Sequence, residues 1–135
     1  MAAIEWRSDL ETGIAKIDNQ HKEIFRRIND FLAACEQGKG KDELEKTLAF
    51  LTDYVQIHFK DEEDLQIQSK YPDYEAHRKQ HQDFRKNIIE VQNKLKAEGA
   101  SLATVLLVNR IVVNWLVAHI GRVDKAFAEY LKKQA

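Results

Sequence analysis

The chain has 135 residues, a formal net charge of −1, 32% charged residues and a single cysteine. That length supports one domain with one core, residues 1–135, and the balanced charge argues against a nucleic-acid partner. One cysteine excludes an internal disulfide and suits a reducing compartment, so a cytoplasmic protein is expected. The opening MAAIEWRSDL has no apolar run of signal-peptide length. Residues 101–120 are nearly long enough to cross a bilayer, but Asn109, Arg110, Asn114 and His119 interrupt them. A buried helix is the better reading there, and no membrane partner is expected. No obligate protein partner is inferred either.

Residues 1–17 carry Trp6 and Gly13 without a sustained helical period, and read as an arm anchored by Trp6. Asp18 is placed to cap a first helix, whose inward stripe is His21, Phe25, Ile28, Leu32 and Cys35 in steps of four and three. Cys35 completes that stripe as a small core residue. Glycines at 38 and 40 end the helix. Asp42 and Glu45 resemble a capping box opening a second helix, with Leu44, Leu48, Leu51, Val55, His58, Glu62 and Leu65 on one face. Pro72 forces a reversal. A third helix from about Asp73 repeats the pattern with Tyr74, His77, His81, Phe84, Ile88, Val91 and Leu95. Ser101 caps a fourth helix, apolar on more than one face, and a short tail helix over residues 123–132 closes the chain. The expected fold is all-α: an up-down-up-down four-helix bundle over residues 18–135, with the N-terminal arm and the C-terminal helix added.

The chemistry lies in the five histidines, His21, His58, His77, His81 and His119, all on or beside inward stripes. One imidazole in such a row reads more readily as a core residue with a hydrogen-bond partner. Five, with Glu62 in the same rows, point instead to a metal site in the bundle core. His58-x-x-x-Glu62 and His77-x-x-x-His81 each set two donors one turn apart. In an up-down bundle His21, His58, His77 and His119 also fall at the same end. Asp124 lies five residues after His119, well off its direction on a regular helix, and a break at Gly121 would bring it back. Asp61, Glu63 and Asp64 read as a solvated acidic face.

Taken together, Asp18-x-Gln20-His21, His58-Phe59-x-x-Glu62-Glu63, Tyr71-Pro72, His77-x-x-x-His81, Trp115-Leu116-x-x-His119 and Asp124 resemble the bacterial hemerythrins over nearly the whole chain. Gln66 departs from the resemblance, standing where that family commonly has methionine, beside the ligand set. The resemblance implies two iron ions bridged by oxide or hydroxide. His77, His81 and His119 would bind one and His21 and His58 the other, with Glu62 and Asp124 bridging. It further implies reversible binding of dioxygen at the iron with two histidines, for storage, delivery or sensing, and no enzymatic role. Phe25, Ile28, Phe59 and Leu116 are the candidates to line the oxygen pocket, Leu116 being the position the resemblance favours. A donor set dominated by neutral imidazoles stabilises ferrous iron better than a carboxylate-rich set. The alternatives are a di-iron redox enzyme, acting as an oxidase or peroxidase or reducing nitric oxide or nitrite, and a protein that holds zinc or sequesters iron. Zinc is the weaker of these, because a structural zinc site needs only four ligands.

Overall fold

The computed structural model describes residues 4–134; the first three residues of the expected arm and residue 135 of the expected domain lie outside the described residues. Four long helices follow the arm: α1 (Ala15–Glu36), α2 (Lys41–Gln68), α3 (Tyr74–Glu98) and α4 (Leu102–Gln134). Cross-helix hydrogen bonds establish that neighbours run antiparallel. Gln20 meets Asp61 while Arg27 meets the Phe50 carbonyl; Arg85 meets Gln56 while His81 meets Glu63; Gln80 meets His119 while Asn87 meets the Ile111 carbonyl. In each pair of helices one partner number rises as the other falls, which is an up-down-up-down bundle.

The inward stripes are buried along most of their length. Ile28, Val55, Phe59, Phe84, Val91, Leu116 and Ile120 are all between 0 and 1% exposed. Cys35 is buried among them, and burial pushes its thiol pKa up. On α2 the row ends differently from its sequence reading: Leu65 is only half-buried, and Gln66, four residues after Glu62, takes the inward place at 0% exposure. The apolar sides of α4 are also less covered than expected. It contributes one buried row, while Leu102 and Leu106 stand 74% and 58% exposed. By length and composition alone α4 could cross a membrane, although only a third of its most apolar stretch is buried; its buried row packs into the bundle.

Helix ends depart from expectation in three places. The first helix begins at Ala15, so Asp18 lies inside its first turn and does not cap it. Its carboxylate instead accepts from the Thr12 backbone N–H and hydroxyl at 2.8 Å and from Gly13 N–H at 3.1 Å, tying down the arm. Gly13 adopts φ +85°, a conformation that costs glycine nothing. Asp42 makes no cap either, because α2 starts one residue earlier after Gly40. Ser101 does cap α4, its hydroxyl accepting from Thr104 N–H at 3.1 Å.

The third departure positions the site. There is no break at Gly121 and no separate tail helix; α4 runs through, widening into π-helical turns over Asn109–Val113 and His119–Asp124. A π turn bonds i to i+5, so it brings residues five apart onto one face and stacks Asp124 over His119 without interrupting the helix. The arm closes the same end of the molecule. The Trp6 ring meets Phe25 edge-on at 5.3 Å, Ile4 exchanges backbone hydrogen bonds with the Asn29 amide, and Leu10 is 2% exposed.

Candidate metal centre

Each helix brings its own share of the site: α1 carries His21, α2 His58 and Glu62, α3 His77 and His81, and α4 His119 and Asp124. All seven side chains are at most 3% exposed, and the structure brings all seven together. His77 Nε2 lies 2.9 Å from Glu62 and 2.9 Å from Asp124, His81 Nε2 is 3.1 Å from Glu62, and His119 Nε2 is 3.0 Å from Asp124. His21 Nε2 is 2.9 Å from Asp124 and His58 Nε2 is 3.9 Å from Glu62.

Distance alone would suggest a buried ion-pair network, but direction does not. Both oxygens of Glu62 and of Asp124, and Nε2 of His21, His77, His81 and His119, have no hydrogen-bond partner. Burying that many polar atoms without directed partners is unfavourable unless something at their common focus satisfies them. Two overlapping donor groups fit metal ions: Glu62, His77, His81, His119 and Asp124 form one, and His21, His58, Glu62 and Asp124 the other, with donor atoms within 4.8 Å of one another in each. Glu62 and Asp124 belong to both groups.

The protonation of the metal-free site follows from the same contacts. Burial pushes the His58 imidazole down to about 4, against the pull of Glu62. Burial would also lower His77, but Asp124 and Glu62 at 2.9 Å outweigh it and raise its pKa to about 10. Burial and the Asp124 charge favour a neutral Glu62, yet His77 and His81 hold its pKa down at about 2. Asp124, likewise resisted by burial, is held well below the usual carboxylate range, first by His119 and then by His21 and His77.

Four of the five imidazoles are also held from behind. The Nδ1 of His58 is 2.7 Å from Gln20 Oε1, that of His119 is 2.8 Å from Gln80 Oε1, and that of His81 is 2.8 Å from the Glu63 carboxylate. On His77 the contact is of the other kind, Gln66 presenting its amide nitrogen Nε2 to Nδ1 at 2.7 Å, whereas His21 Nδ1 is buried without a partner. An acceptor on Nδ1 keeps the proton there and leaves the Nε2 lone pair facing inward, which orients a metal-ligating histidine. Sequence periodicity missed these partners. Glu63 is not a solvated acid: its side chain is 17% exposed and engages His81. Asp61 supports Gln20 at 2.9 Å, and only Asp64, paired with Lys60, matches the solvated reading.

Aromatic rings wall the centre. Phe59 stacks on His81 with centroids 3.8 Å apart, and Trp115 stacks on His119 at 4.5 Å. Phe25, Ile28, Phe59 and Leu116, the expected pocket residues, all belong to the buried core cluster, with Leu116 one turn before His119 on α4.

Comparison with known proteins gives one answer. The model of the Hemerythrin HHE cation binding domain family matches residues 12–131. The chain is 33% identical over 132 residues to the bacteriohemerythrin of Methylococcus capsulatus, covering 97% of this chain and 98% of the relative. It is 33% identical over 132 residues to that of Pseudomonas paraeruginosa, covering 98% of this chain and 84% of the relative. The myohemerythrin of Theromyzon tessulatum is 30% identical over 109 residues, covering 79% of this chain and 83% of the relative. Among solved structures, a crystal structure of a hemerythrin leucine-to-alanine mutant superposes with a TM-score of 0.82 at 32% identity, over 97% of this chain and 98% of that one.

Proposed function

The chain belongs to the hemerythrin family, and from that premise we propose that it binds dioxygen reversibly at a pair of iron ions, for storage, delivery or sensing in the cytoplasm. The carrying observation is the pair of donor groups that share Glu62 and Asp124. In this reading His77, His81 and His119 would hold one iron and His21 and His58 the other, with Glu62 and Asp124 shared between them together with an oxide or hydroxide. Bound there, a ferrous pair would supply dioxygen with an open coordination position and two electrons available reversibly.

The chain's own residues do the rest. The uneven split of three imidazoles against two leaves the His21–His58 side short of one protein ligand, which is where a small molecule fits. Five neutral donors against two anionic ones favour the reduced pair and disfavour the high-valent chemistry of carboxylate-rich centres, so a carrier is the better reading than an enzyme. Gln20, Glu63 and Gln80 keep three rings turned inward, sparing reorganisation when ligands change. The buried side chains of Phe25, Ile28, Phe59 and Leu116 exclude water and protons that would otherwise promote irreversible oxidation.

The test is a visible spectrum of the iron-loaded, reduced chain as oxygen is admitted and flushed out. A charge-transfer band that appears and disappears through repeated cycles is expected. A band that decays at once to a ferric product while a co-substrate is consumed would make the protein a redox enzyme; no band and no iron uptake would remove the metal reading.

A further inference from the structure

We infer that Gln66 is the positioning residue for His77, and that its amide, beyond its bulk, governs how tightly the three-histidine group retains its metal. The inference rests on the reading of this cluster as a metal centre. Gln66 is 0% exposed and touches His77 Nδ1 at 2.7 Å. Its main chain is fixed as well, because the Gln66 carbonyl accepts from Tyr71 N–H at 2.9 Å at the end of α2.

Its difference from Glu63 and Gln20 is chemical. Glu63 can only accept, and Gln20 is locked, with its oxygen on His58 and its nitrogen donating to Asp61 at 2.9 Å. Each therefore admits one tautomer of its histidine. As placed, Gln66 Nε2 faces His77 Nδ1 and Oε1 is buried without a partner, so no second contact holds the amide in that orientation. A half-turn of the amide offers an acceptor or a donor in the same volume. With Nε2 of His77 on a metal, Nδ1 would carry the proton, and the half-turn would bring the Gln66 oxygen round to accept from it; a side chain unable to accept would strand that N–H. The stranded group would be costly, since His77 is otherwise enclosed by His81, His119 and the edge of Phe127 at centroid distances of 4.6, 4.9 and 6.3 Å.

The experiment compares the parent chain with Gln66→Met and Gln66→Glu, each loaded with ferrous iron without oxygen, and follows release to an excess of ferrous chelator. Methionine nearly conserves volume and removes the acceptor, so release of one of the two irons is expected to quicken about 10- to 100-fold. Glutamate keeps an acceptor at the same reach, so release is expected at or below the parent rate. Release from Gln66→Met at the parent rate would overturn the inference, and so would equal acceleration in both variants, which would mark a packing role alone. If Gln66→Met does not fold, Gln66→Glu decides by itself: faster release than the parent goes against the positioning role. A parent chain that takes up no iron removes the metal reading and this inference with it, whereas a parent that loads normally beside indifferent variants removes this inference only.

Discussion

At the residue scale, Leu116 shows how one apolar side chain can matter to chemistry without touching a proton. It is 1% exposed and lies three residues before His119, on the same face of α4. Truncating a buried leucine leaves a cavity and costs roughly 2–5 kcal/mol, and a cavity beside polar donors can admit water. Leu116→Ala is expected to speed decay of the oxygenated absorbance several-fold, with stability lowered but the fold retained. An unchanged decay rate, with circular dichroism as control for folding, would refute the water-excluding role. Asp124 apart, the clustered side chains were legible because each lies on or beside the apolar row of its helix: His58 and Glu62 continue the steps of Leu48, Leu51 and Val55. Glu63, Gln20 and Gln80 were not, because an imidazole's outward nitrogen reaches the flank of a neighbouring helix. One helix's periodicity classes such flanks as solvated.

At the element scale the decisive feature is the π turn of α4. Sequence reading assumed 3.6 residues per turn, on which a spacing of five leaves Asp124 about 140° from His119. The same spacing across a π turn places them together, and nothing in residues 119–124 distinguishes a wide turn from a broken one. Gly121 invited the second reading, although it takes no positive φ. Deleting Gly121 would shorten the spacing to four, which a regular helix aligns to within about 40°. That variant is expected to retain most of its metal. Inserting one alanine after Gly121 would carry Asp124 about 100° onward, and the variant should lose a bridging ligand and much of its metal. Metal per chain after gel filtration decides the matter. Equal loading in both variants would mean that the π turn does not set the ligand geometry.

At the scale of the whole molecule, the bundle holds five imidazoles and two carboxylates in its core, and their charges tie its stability to pH and to metal. In the metal-free chain His77 has a pKa raised to about 10, against an unfolded value near 6.5. The folded state thus binds a proton that the unfolded state gives up, and the stability this contributes is complete below about 6.5 and lost as pH rises through about 10. His58 works in the opposite sense. Its pKa is lowered to about 4, so the unfolded state takes up the proton first, and stability falls as pH drops from about 6.5 toward about 4. The metal-free chain should therefore be most stable near neutrality, with its urea midpoint declining on both sides. Metal removes the alkaline limb, since a ligating His77 has already given up its Nε2 proton, and loading near pH 7 should release protons that a weakly buffered indicator can count. It also raises the midpoint by mass action, because the seven donors converge only in the folded chain. The comparison to make is urea unfolding of chelator-treated and metal-loaded chain at about pH 5, 7 and 9. A metal-free midpoint that keeps rising from pH 7 to 9 would contradict the placement of His77 between two ionised carboxylates. Identical midpoints with and without metal would mean that the buried donors find their partners elsewhere.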